Sequence, residues 1–188
     1  MPKVAIVYFT NTNITGQLAQ AVAAGVESQG INVVSYRILG TDIITGRYQN
    51  SDLFQSIAQC DAIIFGSPTY MGSVAAQFKA FADASSEYWG EQGWSGKVAA
   101  GFTSGGALNG DQSTTLQYLL TLASQHGMIW VGLDSAHGFA DKGINRLGTQ
   151  LGVVSKAEDG QLHEVDAATA RYLGHRVAHL VKRLAHPE

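Results

Sequence analysis

Val4-Ala5-Ile6-Val7-Tyr8-Phe9-Thr10-Asn11-Thr12-Asn13-Ile14-Thr15 passes without a break from an apolar run into a cluster of hydroxyl and amide side chains. Near-continuous apolarity from Val4 to Phe9 marks a strand covered on both faces, the habit of a parallel sheet. The polar run is followed at once by helical spacing, with Leu18, Val22 and Val26 stepping by four. Threonine hydroxyls, asparagine amides and the open amides of a helix start therefore converge on one small volume, which attracts an anion. No Lys or Arg lies between Thr10 and Thr15. A phosphate there relies on neutral donors and on the helix dipole, about half an elementary charge.

Outward from this stretch the pattern repeats. Ala62 to Phe65, Val98 to Phe102 and Met128 to Leu133 are short apolar runs, and Val33 to Leu39, interrupted by Ser35 and Arg37, reads as an edge strand. Helical faces lie between and after them: Phe78 with Phe81, then Leu116, Leu119, Leu120 and Ala123, then Leu173, Val177, Leu180 and Leu184. Alternating strands and helices imply right-handed crossovers and one α/β domain over residues 1–188. Its sheet is doubly wound, parallel and five-stranded, with helices on both faces and ligand loops at the strands' carboxyl ends. The least regular segment, 134–165, is expected to hold a short element such as Leu151 to Val154 and to serve an interface.

Two more loops share that edge. Gly66-Ser67-Pro68-Thr69-Tyr70-Met71-Gly72-Ser73 follows the third strand; there Pro68 stiffens a sharp exit, Tyr70 and Met71 offer a flat apolar surface, and Gly72 admits backbone amides to a ring edge. Thr103-Ser104-Gly105-Gly106-Ala107-Leu108-Asn109-Gly110-Asp111 follows the fourth. Taken singly, the first loop also has a reading as a helix cap and the second as a plain turn. Together they offer a phosphate site beside an amphipathic slot, as flavin mononucleotide (FMN) requires. The first loop has neither the glycines and lysine of a P-loop nor a G-x-G-x-x-G fingerprint. Strand ends Tyr8-Phe9-Thr10 and Gly66-Ser67-Pro68 lack the acids of a response regulator.

Composition removes other classes. Twelve Lys+Arg against 15 Asp+Glu give a net charge of −3, without the basic excess that nucleic-acid binding uses. No apolar run approaches membrane-spanning length, and Met1-Pro2-Lys3-Val4 lacks a secretion-signal layout, so a cytoplasmic protein with no membrane insertion is expected. A single cysteine, Cys60, excludes an internal disulfide framework, and the six histidines show no H-E-x-x-H metal spacing.

Thr10-Asn11-Thr12-Asn13-Ile14-Thr15 resembles the flavodoxin-superfamily phosphate loop T-x-T-G-N-T. Ser67-Pro68-Thr69-Tyr70-Met71-Gly72-Ser73 is similar to the P-T-R-F-G-N loop of WrbA-type NAD(P)H:quinone oxidoreductases. The likeness continues through Asp61 to Gly66, Trp89, Gly96-Lys97 and His126-Gly127-Met128. The resemblance implies a flavodoxin-like sheet of order 2-1-3-4-5. It also implies FMN contacts from Thr10, Asn11, Thr12, Asn13, Ile14 and Thr15, from Pro68, Thr69, Tyr70, Met71, Gly72 and Ser73, and from Ser104, Gly105, Gly106, Asn109 and Gly110. Asn13 stands where the motif prefers Gly, and Asn tolerates a left-handed backbone. Ile14 removes one polar contact.

His126 matches a family position near the flavin's pyrimidine end, where a donor would stabilise reduced-state charge or bind a quinone oxygen; equally it is a helix C-cap before Gly127. Trp89 resembles the tryptophan that borders the flavin's open face and sandwiches substrate; ordinary packing explains it equally. Asn145-Arg146-Leu147-Gly148 either orders the long loop or brings a cation to a neighbouring subunit. The implied function is two-electron transfer from NAD(P)H to a quinone by ping-pong exchange, in a homo-dimer or homo-tetramer. The alternatives are a one-electron carrier docking on protein partners and, from Asn13 and Ile14, a protein without tight FMN binding.

Overall fold

The computed structural model describes residues 2–135 and 139–185. In chain order its elements are β1 (Lys3–Tyr8), α1 (Ile14–Glu27), β2 (Asn32–Arg37), a 3-10 turn (Gly40–Asp42), β3 (Ile43–Ile44), β4 (Arg47–Tyr48), α2 (Ser51–Ala58), β5 (Ala62–Tyr70), β6 (Ser73–Val74) and α3 (Ala76–Ala84). A second 3-10 turn (Ser85–Tyr88), β7 (Val98–Gly105), α4 (Gln112–Gln125), β8 (Ile129–Trp130), α5 (Phe139–Lys142), β9 (Val153–Glu158), β10 (Gln161–Leu162) and α6 (Glu164–Ala185) complete it. Along the sheet the order is β10-β9-β7-β5-β1-β2, with β8 paired to β7 and β6 to β5. Its parallel strands β2-β1-β5-β7-β8 reproduce the expected 2-1-3-4-5 order.

Alternation along each strand divides the core between two faces. Ala5, Val7, Ile63 and Phe65 meet Leu53, Phe78, Phe81 and Leu116 from α2, α3 and α4. Val4, Ile6, Ile64 and Phe102 meet Leu18 and Val22 from α1 and Leu173 and Val177 from α6. The two helices of that second layer touch backbone to backbone. A Cβ on Gly25 would strike the Arg171 carbonyl, and one on Gly174 the Val22 carbonyl. Leu184, expected on the same buried face, is 52% exposed.

The fifth strand position is filled twice. Residues 128–133 were expected to run as one strand, but only Ile129–Trp130 pairs with β7, opposite Val98 and Ala99. The chain then leaves the sheet and returns as β9, with Val153 opposite Phe102 and Ser155 opposite Ser104. The element expected at 151–154 is thus the entrance to a longer strand. Arg146 ties the excursion to α6 with a two-pronged ion pair, Nε to Asp166 Oδ1 at 2.8 Å and Nη2 to Oδ2 at 2.9 Å. Arg146 therefore orders the loop. Residues 136–138 of the 134–165 segment lie outside the described residues.

Pro68 is not an exit from the sheet. β5 runs on to Tyr70 and folds back as a hairpin, Thr69 opposite Val74 and Tyr70 opposite Ser73. Met71 and Gly72 both take positive φ, 49° and 76°, which gives the turn the twist of a two-residue hairpin.

Candidate functional site

β1 ends at the middle of the sheet, beside the midpoint of β5, where the Phe9 amide donates to the Gly66 carbonyl at 3.0 Å. Thr10 follows, 2% exposed, and its Oγ1 is buried with no hydrogen-bond partner. A buried polar atom left this way costs about 1–3 kcal/mol. Asn11, Thr12 and Asn13 then rise into solvent. Asn13 takes φ 71° at the N-cap without capping the helix with its side chain, so Asn supplies the left-handed turn that the motif assigns to Gly. The first helical bond runs from the Gln17 amide to the Asn13 carbonyl at 2.9 Å. The amides of Ile14, Thr15 and Gly16 therefore stand open at the helix start. Ile14 is 1% exposed, its side chain in the interior, and only its amide faces the loop. Thr15 Oγ1 meets Ser104 Oγ at 2.9 Å, joining the first loop to the strand that carries the third.

The second loop is the β5–β6 hairpin. Ser67 Oγ accepts from the Ala75 amide at 2.9 Å and donates to the Pro68 carbonyl at 2.9 Å. Thr69 Oγ1 shares 2.8 Å hydrogen bonds with Thr103 Oγ1 and Thr115 Oγ1. Its hydroxyl braces the hairpin from below and is not turned to a ligand. Tyr70 is 44% exposed and Met71 wholly exposed, an apolar pair held out at a strained turn.

In the third loop Ser104 is buried, Gly105 and Gly110 are half-buried, and Gly106 and Asn109 are exposed with Leu108. Gln112, 4% exposed, holds it closed. Its Nε2 donates to the Ala107 carbonyl at 2.6 Å, and its Oε1 accepts from the Gly110 amide at 2.7 Å.

The structure thus brings 10–15, 68–73 and 104–110 to one edge. His126 and Trp89 it places elsewhere. α4 begins beside the third loop and runs 14 residues away from it, about 20 Å at 1.5 Å per residue. His126 is the C-cap at its far end, next to the amino end of β7. It is 2% exposed, its Nε2 meets Ser85 Oγ at 2.8 Å, its Nδ1 has no partner, and its ring lies 4.2 Å from that of Trp94. Burial disfavours the charged form and pulls its pKa below the ordinary value. His126 does not reach the loop edge within this chain, and the helix-cap reading describes its surroundings. Trp89, 50% exposed, lines a cavity of about 360 Å³ with His126, Tyr118 and Leu122, also at the amino edge.

Sequence reasoning missed Gln112, hidden as the first residue of a helix, and the Thr103–Thr69–Thr115 hydroxyl chain, which exists only in three dimensions. It also missed Arg37 at the end of β2, whose Nη2 donates to the Thr10 carbonyl at 3.3 Å.

Residues 3–140 match the model of the NADPH-dependent FMN reductase family. Flavodoxin FldP of Pseudomonas aeruginosa is 37% identical over 98% of this chain and 99% of its own. An NAD(P)H dehydrogenase (quinone) of Archaeoglobus fulgidus is 33% identical over 98% of this chain and 100% of its own. The crystal structure of a WrbA-like flavodoxin from Agrobacterium tumefaciens superposes with a TM-score of 0.78 at 36% identity, over 97% of this chain and 99% of that one.

Proposed function

The chain belongs to the NADPH-dependent FMN reductase family, and from that membership we propose that it passes two electrons from NAD(P)H to a quinone or similar small acceptor through bound FMN. The observation that carries the reading is the buried, unpartnered Thr10 hydroxyl beside the open amides of α1. A phosphate ester supplies the acceptors that all of them lack.

The residues present fit the cofactor. Thr10 to Thr15 would take the phosphate through the Thr10 hydroxyl and the Ile14 and Thr15 amides. The Pro68–Ser73 hairpin and the backbone at Ser104, Gly105, Gly106, Asn109 and Gly110 would flank the ring. Exposed Tyr70 and Met71 give a planar ligand apolar surface and exclude water from it. FMN supplies the hydride chemistry when bound, so the protein need only orient it and admit its substrates. The sequence carries no separate dinucleotide fingerprint, which favours donor and acceptor using one open face in turn. The reading sets the protein in the cytoplasm, where NAD(P)H is supplied, and in a homo-oligomer. Among the described residues no helix is long and apolar enough to cross a membrane.

Anaerobic mixing of FMN-loaded protein with NADPH or NADH is expected to bleach the flavin, and benzoquinone to restore it, with parallel lines in double-reciprocal plots. Intersecting lines would show both substrates bound together and end the shared-face scheme. The likeness to FldP favours a second reading, a carrier docking on protein partners. Its sign would be negligible benzoquinone turnover by a fully FMN-loaded protein. A net charge of −3 offers such docking little steering.

A further inference from the structure

From Val4 to Tyr36 the chain contains no lysine or arginine. The first cation after that gap is Arg37, the last residue of β2, and the parallel register sets it opposite Tyr8 at the end of β1. From there its side chain crosses to the phosphate loop, where Nη2 donates to the Thr10 carbonyl at 3.3 Å. Arg37 is exposed, and among the described residues no carboxylate forms an ion pair with it. Its charge is therefore fixed beside the loop by a bond to the same residue whose hydroxyl is buried without a partner.

We propose that Arg37 is the cation of the phosphate cradle and that it sets the protein's preference for phosphorylated over unphosphorylated flavin. The inference rests on the FMN reading above. A flavin phosphate carries between one and two negative charges near neutral pH, whereas the loop contributes only neutral donors and a helix dipole. A guanidinium with one N–H held by a carbonyl keeps its other donors free for phosphate oxygens. It is also already oriented, so little side-chain entropy is lost on binding. The contact lies at the protein surface, so its strength falls as salt rises. The ring carries no such charge, and riboflavin should not sense Arg37.

The test is titration of the apoprotein with FMN and with riboflavin, followed by flavin fluorescence at low and high ionic strength, for the wild type, R37Q and R37K. Arg37→Gln is expected to weaken FMN about tenfold at low salt, to flatten its salt dependence, and to leave riboflavin within about twofold of the wild type. Arg37→Lys should keep the salt dependence and part of the affinity. Equal losses for FMN and riboflavin in R37Q, or no loss for either, would overturn the role of Arg37 while the cofactor assignment stands. A wild type that binds FMN no better than riboflavin would overturn the cradle and Arg37 together. Should R37Q fold poorly, the R37K titrations and the wild-type salt series decide the matter alone.

Discussion

Thr10 and His126 are each 2% exposed, and each hides a polar atom with no partner. Their surroundings differ in kind. Thr10 Oγ1 lies among other groups that also await acceptors, namely the helix-start amides and the Arg37 guanidinium. The His126 ring lies 4.2 Å from that of Trp94, whose own Nε1 is also buried without a partner, and the residue's other nitrogen is satisfied by Ser85. An unpartnered atom signals an anion where open backbone amides and a cation surround it at a loop edge. Where buried aromatic rings surround it, it is the cost of packing a polar residue into a core.

Mutation should separate the two regions, and the largest expected effect is on the packing side. His126→Ala removes a ring that touches Trp94 and is expected to lower stability by about 2–4 kcal/mol without changing the FMN dissociation constant. Chemical denaturation and a flavin titration check the two arms. The same residue gives the fold an acid sensitivity. Its pKa is depressed by burial, so in the window below about 6.5 the unfolded chain binds more protons than the folded one and stability falls as pH falls. Urea melts at about pH 7.5 and 5.5 should show that loss, and His126→Gln should shrink it.

Thr10→Val tests the other side with the reverse signature. The isostere deletes a hydroxyl that bonds to nothing in the apoprotein, so thermal stability without cofactor should hold or rise slightly. FMN affinity should drop by roughly 1.5–3 kcal/mol, tenfold or more, because a bond to a charged group is lost. Equal stability and equal affinity would dissolve the contrast with His126.

Next in size is Gln112→Ala. Its side-chain amide closes the third loop through two bonds, to Ala107 and Gly110. Without it the loop samples more conformations, and FMN binding should weaken by about 1 kcal/mol, roughly fivefold. A gain in hydrogen exchange confined to residues 105–111 would locate the effect.

Much of this was readable from the chain because it depends on period and adjacency. The strand of Val4 to Phe9, the edge strand near Val33 and the loops after three strands all follow from local pattern, as does the tolerance of Asn13 for φ 71°. What was not readable depends on register. Nothing local says that Arg37 ends opposite Tyr8, that Ser155 returns to lie beside Ser104, or that β5 continues through Pro68 to a hairpin. The place of His126 was not readable for a related reason. A match to a family position near the flavin's pyrimidine end does not state which end of a helix a residue occupies in this chain, and α4 carries it to the far edge.

Trp89 gives the smallest expected effect and the most discriminating one. It is 50% exposed at the amino edge and lies over a cavity whose lining is largely apolar. Removing a half-exposed ring takes little from the core of the chain, so Trp89→Ala should shift stability by about 0.5 kcal/mol or less and leave FMN affinity unchanged. If the amino edge serves only its own packing, quinone turnover per bound flavin will match the wild type at every protein concentration. If a second copy presents that edge to the loops, turnover by the wild type will rise with protein concentration as copies assemble, and the variant will lose that rise with its flavin still bound. Turnover measured across a dilution series, beside sedimentation of the same samples, tells the two apart.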